Sequence, residues 1–95
     1  MFRVLAKMEV LPGKSGEFRK NILKLAPQTI EYPGCLSYEV LQSNENENIF
    51  WMCETWEDEQ HFQEHFSADF TKEFEKTLEG VAAKDVEPYI CKIVF

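Results

Sequence analysis

The residues whose types and spacing are best suited to catalysis lie in one stretch, residues 49–70. An apolar run there ends in Glu54 and Trp56, and two histidines, His61 and His65, follow four residues apart. A carboxylate and an imidazole can exchange protons near neutral pH once burial or a neighbouring charge has shifted their pKa values. The pattern therefore predicts a small-molecule pocket with acid–base groups, placed where the end of a strand meets a helix.

Glu54 is one of the two candidate catalytic residues. In a strand it shares a face with Phe50, Met52 and Trp56, so its side chain is expected to point toward the helices. A carboxylate among apolar side chains is costly unless it has a partner. Two interpretations stay open: a base or orienting group with a raised pKa, or a structural carboxylate bonded to helix backbone or to a neighbouring side chain. Trp56 is expected in the core or the pocket wall.

His65 is the other candidate catalytic residue. An imidazole, whose unperturbed pKa is about 6.5, can remove the proton of a phenolic substrate. The alternative is a core or helix-capping histidine, and His61 is expected at the surface. The segment from His61 to His65 also matches the HxxEH zinc-peptidase pattern. Such a site needs a third ligand and a larger scaffold, so no metal is predicted.

Further pocket candidates are aromatic. The hydroxyl of Tyr38 can reach a substrate oxygen from the adjacent strand, or Tyr38 is a core tyrosine with a satisfied hydroxyl. Helical phenylalanines either line an apolar pocket or simply pack in the core. The predicted substrate-binding set is Tyr38, Trp56, Phe66, Phe70 and Phe74.

Hydrophobic spacing predicts the elements that position these groups. Alternation indicates strands at 2–11, 35–42, 49–56 and 87–95. Helical spacing indicates a helix capped by Ser15 and kinked or ended at Pro27, a short helix through Phe66, and another from Ala68 to about Glu79, capped by Ser67. The order β-α-β-β-α-β, with the second helical part split, predicts an α+β, ferredoxin-like fold with a four-stranded antiparallel sheet. A single domain over residues 1–95 is expected.

One face of that sheet is expected to pack on the helices, and the other face also needs cover. The apolar residues expected to need it are Leu5, Leu11, Leu41, Ile49, Trp51, Cys53 and Val94. They are too many to leave in water. A second copy of the same sheet is the simplest cover, so a homodimer packed sheet to sheet is predicted.

Composition narrows the classes of function. The chain has 95 residues, 44% of them hydrophobic, and a net charge of -7. The acidic excess argues against binding nucleic acid through phosphates and against binding an anionic membrane surface. No signal-peptide pattern and no spanning-length apolar run of about 20 residues is visible. Three widely spaced cysteines predict buried free thiols in a reducing compartment, so a cytoplasmic location is expected.

At this point the chain resembles the antibiotic biosynthesis monooxygenase (ABM) family, a branch of the dimeric α+β barrels. The resemblance covers nearly the whole chain. It rests on the opening strand, Pro12-Gly13-Lys14, Tyr32-Pro33-Gly34-Cys35-Leu36-Ser37-Tyr38, Glu54-Thr55-Trp56-Glu57, and His65 with Ser67 and Phe70. Tyr32 departs from the family pattern, which typically has Glu there, at the start of a turn.

The resemblance implies an enzyme that oxidises a quinol or polycyclic phenol with molecular oxygen, using neither flavin nor metal, and it supports His65 as a functional histidine. The heme-degrading branch typically has Asn near Met8, Trp at the position of His65 and a heme-ligating His near Glu75. Because all three differ here, the resemblance implies a non-heme member. Two alternatives stay open: a small-molecule isomerase using the same acid–base pocket, and a non-catalytic ligand-binding or stress-response module.

Overall fold

The computed structural model describes residues 1–95. The strands are β1 (Phe2–Glu9), β2 (Cys35–Gln42), β3 (Ile49–Trp56) and β4 (Glu87–Cys91), and the helices are α1 (Ser15–Ile30), α2 (Glu59–His65) and α3 (Asp69–Thr77). The sheet order is β2-β3-β1-β4, with every neighbouring pair antiparallel. The predicted ferredoxin-like arrangement is confirmed. None of the helices has the length and apolar content needed to cross a bilayer.

Helix α1 runs past Pro27 to Ile30, so of the two outcomes expected at the proline, a kink or an end of the helix, the end is excluded. A proline removes one backbone donor from the helix. The final turn is held by packing, because Leu25 and Thr29 are both buried in the core. The Thr29 hydroxyl also donates a hydrogen bond of 3.2 Å to the Leu25 carbonyl.

The N-caps of α1 and α3 differ from the prediction. Lys14 and Ala68 occupy the N-cap positions of α1 and α3, with no side-chain cap, where Ser15 and Ser67 were expected. Asp58 does cap α2, and its carboxylate accepts a hydrogen bond of 2.9 Å from the His61 backbone. Of the three helices, α2, which carries His65, is therefore the one whose N-terminus is capped by a side chain.

The core lies between the sheet and the helices. Its larger cluster joins the inward faces of β1 and β3 to α1, and consists of Ala6, Met8, Val10, Phe18, Ile22, Leu25, Phe50, Met52 and Val81. A smaller cluster of Val4, Trp56 and Phe62 joins β1 and β3 to α2. Phe62 thus packs α2 against the end of β3, with 6.0 Å between its ring centroid and that of Trp56.

A β-bulge changes the inward face of β2. The strand register shifts between Cys35 and Ser37, so that Cys35 lies opposite Trp56 and Tyr38 lies opposite Glu54. Leu36, the extra residue of the bulge, is half exposed. The bulge brings Tyr38 directly beside Glu54 on the helix side of the sheet.

The opposite face of the sheet is uncovered in the single chain. Leu5 and Leu41 are exposed, while Ile49, Trp51 and Cys53 are half buried. The other two predicted members of this face, Leu11 and Val94, lie beyond the ends of β1 and β4. The face is thus apolar and open, though less extensive than the strand prediction implied.

All three cysteines are free. Cys35 and Cys53 are half buried and Cys91 is exposed, so the prediction of fully buried thiols is wrong for the single chain. Cys53 and Cys91 pair with Leu5 and Arg3 of β1, which places both on the uncovered face of the sheet. Their exposure therefore has the same cause as the exposure of the apolar side chains around them.

The turn before β2 is held against α2 by a glycine. Gly34 has φ +88°, and a Cβ atom built there would overlap the Cβ and Cγ atoms of His61. We expect Gly34→Ala to reduce the free energy of unfolding by well over the about 1–2 kcal/mol that the left-handed conformation alone costs an L-residue. Gly13→Ala is the matched control, because Gly13 has φ +82° with nothing within 4 Å. Urea denaturation measures both, and equal losses would mean that α2 moves aside freely.

Candidate active site

A cavity of about 930 Å³ opens between the inward face of the sheet and the helices α2 and α3. This volume is typical of sites for small organic ligands. More than half of the 22 lining residues are hydrophobic. Apolar side chains that define its walls are Val4, Ala6, Leu25, Met52, Phe62, Phe66, Phe74, Leu78, Val86 and Ile90. The walls suit an aromatic or otherwise apolar ligand.

Glu54 lies on the floor of the cavity. It belongs to β3 and is only 7% exposed. Its Oε1 atom accepts a hydrogen bond of 2.9 Å from Nε1 of Trp56. Burial raises the pKa of Glu54 from 4.5 to about 7, and the hydrogen bond from Trp56 opposes this rise. The carboxyl group is therefore close to its midpoint at neutral pH, where it can either accept or donate a proton.

His65 is the last residue of α2 and also lines the cavity. Its Nδ1 atom is hydrogen-bonded to the Phe62 carbonyl. A carbonyl oxygen can only accept, so Nδ1 carries the hydrogen and Nε2 keeps its lone pair. Burial lowers the pKa of His65, although the Phe62 carbonyl and the charge of Glu75 oppose the change. His65 is thus a neutral imidazole at neutral pH, with one nitrogen able to take up a proton.

Trp56 connects these two groups. Its ring is fully buried and stacks on His65, with 4.6 Å between ring centroids and 27° between planes. The same indole donates to Glu54, whereas no hydrogen bond joins Glu54 directly to His65. Trp56 is not among the residues that line the cavity. Of its two expected places, the core or the pocket wall, Trp56 thus lies in the core, in contact with both ionisable groups.

Tyr38 contributes a hydroxyl group to the cavity wall. Burial, followed by the charge of Glu54, raises the pKa of Tyr38 well above its ordinary value. The hydroxyl consequently stays protonated and is a hydrogen-bond donor. The side-chain hydrogen bonds within the chain do not include this hydroxyl, which leaves it free for a ligand oxygen.

The three predicted phenylalanines separate in the structure. Phe66 and Phe74 line the cavity, and Phe74 also packs edge-on against Phe18, with 6.0 Å between ring centroids. Phe70 lies one helical turn before Phe74 on the same face of α3, and its ring meets the ring of Tyr32 with 6.1 Å between centroids. Phe70 is not among the residues that line the cavity, because the cavity extends toward the C-terminal end of α3; Phe70 lines a smaller pocket between α1 and α3.

His61 has a different environment from His65. Its Nδ1 atom lies 2.7 Å from the Asp58 carboxylate, and its Nε2 atom lies 3.9 Å from Glu57. The hydrogen bond to Asp58 raises the pKa of His61. His61 does not line the cavity, and no three residues among His, Cys, Asp and Glu are arranged to hold a metal ion. The two histidines of the HxxEH pattern therefore lie in separate environments. His61 is near the start of α2, and His65 is at its end, in the cavity wall.

The charged rim of the cavity was not predicted from the sequence. Four further ionisable residues line it: Glu75, Glu79, Lys84 and Asp85. Thr71 was missed too, and its buried hydroxyl donates a hydrogen bond of 2.8 Å to the His65 carbonyl. The available signal was the spacing of Glu75 and Glu79, four residues apart beside the apolar stripe of α3. Lys84 and Asp85 lie in a loop, where the sequence carries no comparable periodicity.

Comparison with known proteins places this site in a family. The family model for antibiotic biosynthesis monooxygenases matches residues 1–82. The chain belongs to the antibiotic biosynthesis monooxygenase family. The matched range contains Tyr38, Glu54, Trp56 and His65, so the family architecture includes the floor and the helical wall of the cavity. Membership supports a role of the general kind found in this family. The search of curated proteins found no match in sequence.

Solved structures agree with this family assignment. A conserved protein from Methanosarcina mazei is 35% identical, covers 96% of this chain and 90% of its own, and has a TM-score of 0.88. A provisionally named antibiotic biosynthesis monooxygenase from Caulobacter crescentus is 25% identical over 99% and 90% of the chains, with a TM-score of 0.89. Another from Nitrosomonas europaea covers 100% of both chains with a TM-score of 0.94, and at 18% identity it supports the ABM fold alone.

Proposed function

We propose that this ABM-family protein is a cofactor-independent monooxygenase that oxidises a quinol or a similar electron-rich aromatic with molecular oxygen. The observation that carries the proposal is the joint position of Glu54 and His65 in one apolar cavity, with Trp56 bonded to the first and stacked on the second. Deprotonation, positioning and exclusion of water are what such a reaction requires from a protein. We take residues 1–95 as one domain in this proposal.

The first step is removal of a phenolic proton. His65 is the better-prepared base, since it is neutral and its Nε2 atom is unprotonated. Glu54 is the second candidate, because its pKa of about 7 leaves a substantial fraction ionised at neutral pH. The Tyr38 hydroxyl can donate to the substrate oxygen as it gains negative charge.

The phenolate then transfers one electron to oxygen. The substrate radical and superoxide combine at a ring carbon that bears hydrogen, and the proton taken up by the base completes the hydroperoxide. Loss of water converts that carbon into a carbonyl. One oxygen atom enters the product and the other leaves as water, so the substrate supplies all the electrons. The apolar walls protect these reactive species from solvent.

Oxygen uptake with a panel of quinols tests the activity. We expect the folded wild type to consume oxygen and His65→Ala to reduce kcat by about 10²–10⁴-fold, the usual contribution of a general base. His61→Ala is the matched control and should retain activity, because His61 lies outside the cavity. No oxygen consumption by the folded wild type with any quinol would end the monooxygenase proposal. Unchanged turnover in His65→Ala would transfer the role of base to Glu54.

The proposal includes a homodimer formed through the uncovered sheet face. Exposed Leu5 and Leu41 and half-buried Trp51 give this face the apolar character of an interface. We expect Leu5→Glu to produce monomers, measured by light scattering after size-exclusion chromatography, because a buried unpaired carboxylate opposes association. Leu23→Glu, which changes a 63% exposed residue of α1, should leave the dimer intact. A monomeric wild type at micromolar concentration would refute the proposed assembly.

The proposal also includes a cytoplasmic location. The three free cysteines support it, because free thiols suit a reducing compartment.

Glu54 and His65 would also suit a second activity, that of an isomerase acting on a small carbonyl compound. In that case substrate would be converted with no oxygen consumed, so the oxygen-uptake assay separates the two activities.

A further inference from the structure

The rim of the cavity is strongly acidic. Glu75, Glu79 and Asp85 line it as exposed carboxylates, and Glu54 lies deeper on the floor. The single lysine or arginine among the lining residues is Lys84. The outer end of a ligand that fills the apolar space therefore lies near several carboxyl groups of the protein and one ammonium group.

The charge of Lys84 is already compensated. Its Nζ atom lies 2.7 Å from Glu87 and 3.9 Å from Glu9. An anionic ligand would have to compete with these two carboxylates for the one cation at the rim. The side chain is exposed, so this competition would also take place against water.

The negative charge extends into the cavity. The carboxylate of Glu75 acts on the imidazole of His65 and opposes the lowering of its pKa by burial. The charge of Glu54 likewise contributes to the raised pKa of the Tyr38 hydroxyl. Negative charge therefore acts on groups in both the helical wall and the sheet floor, on two sides of the space that a ligand would occupy.

We infer that the cavity selects aromatic ligands whose outer end is neutral or cationic, such as an aromatic amine or alcohol, and rejects those that carry a carboxylate or phosphate. The inference rests on the proposed function, since it specifies the substrate class of the same site. Apolar walls bind the ring system, and the acidic rim discriminates by charge. Charge selection of this kind is weakened by salt, because the rim carboxylates are in contact with solvent.

Matched probes test the selection. We choose naphthylmethylamine, naphthylmethanol and naphthoate, substituted at the same ring position, so that they differ mainly in charge. Isothermal titration should show that the alcohol binds and that the amine binds about ten-fold or more tightly than naphthoate at low ionic strength. This ratio should shrink toward one at high salt.

Variants locate the cause of the selection. The double substitution Glu75→Gln and Glu79→Gln should reduce the amine-to-naphthoate ratio several-fold while leaving the affinity for the alcohol nearly unchanged. The matched control is Glu45→Gln with Glu47→Gln, which removes the same charge from the turn between β2 and β3, outside the cavity. A ratio that falls equally in both double variants would assign the effect to net charge and overturn the inference.

The outcomes separate this inference from the proposed activity. Naphthoate binding to the wild type as tightly as the amine would overturn the charge selection, whatever the oxygen-uptake result. A preserved preference for the amine, with no oxygen uptake from any quinol, would support the selection and reject the monooxygenase. Failure of all three probes to bind would overturn both, because it would show that the cavity does not accept aromatic ligands.

Discussion

Replacing Glu54 by glutamine is expected to stabilise the protein above pH 7 and to remove a large part of the pH dependence of its stability. The pKa of Glu54 is raised from 4.5 to about 7 by burial. The folded state therefore holds this proton more tightly than the unfolded state. The corresponding stabilisation is fully present below the unfolded pKa and is lost as the pH rises through the folded pKa.

The size of the effect follows from the shift. Each pKa unit corresponds to about 1.4 kcal/mol, so ionising Glu54 in the folded state costs on the order of 3 kcal/mol of stability at and above neutral pH. Glutamine keeps an oxygen that can accept from Trp56 and cannot ionise. The stability of the Glu54→Gln variant should therefore vary much less as the pH rises through neutrality.

Urea denaturation between about pH 4.5 and pH 8 measures this difference. Glu45→Gln, in the exposed turn between β2 and β3, provides a control for removing one negative charge without changing the cavity. Curves of stability against pH that stay parallel for wild type and Glu54→Gln would show that Glu54 titrates in the folded protein as it does in the unfolded chain.

The second large effect is expected from Trp56→Phe. Phenylalanine retains much of the ring but lacks the indole N–H that donates to Glu54 at 2.9 Å. The carboxyl group would then be buried without its partner, which costs about 1–3 kcal/mol before the smaller ring is considered. Since that hydrogen bond opposes the rise in the pKa of Glu54, its removal should raise the pKa further.

The chain contains a matched control for this substitution. Trp51 is the other tryptophan of β3, and its side chain lies on the uncovered face of the sheet. Because Trp51 also belongs to the proposed dimer interface, both tryptophan substitutions are compared in the Leu5→Glu background, where we expect Trp51→Phe to change the stability of the fold by less than about 1 kcal/mol. Denaturation gives the two losses, and a pH titration of the Glu54 carboxyl by NMR gives the pKa change. Equal losses, or an unchanged pKa in Trp56→Phe, would contradict the bridging role of the indole.

Oxygen uptake adds a functional measure to the same pair. Trp56→Phe removes the hydrogen bond that orients Glu54 and changes the ring that stacks on His65. We expect kcat to fall in this variant and to stay near the wild-type value in Trp51→Phe. A loss of stability with unchanged kcat would show that Trp56 supports the fold without positioning the candidate bases.

Strand periodicity in the sequence was sufficient to predict the central part of the site. β2 and β3 begin and end where alternation placed them, at 35–42 and 49–56. Side-chain direction in a strand alternates strictly, so the facing of Glu54 and Trp56 toward the helices follows from the position of neighbouring apolar residues. The helix that carries His65 was also predictable, since its capping aspartate and apolar spacing are local features.

The sequence by itself determined the order of elements, the inward face of β3 and the presence of two titratable groups near its end, because these depend on local periodicity. Tertiary packing alone decided that Trp56 contacts both groups, that Phe70 packs against Tyr32 outside the cavity, and that Glu75 and Asp85 line the same cavity. These outcomes depend on how α3 rotates against α1 and where the loop before β4 returns. Contacts between residues distant in the chain set both, and no local pattern encodes them.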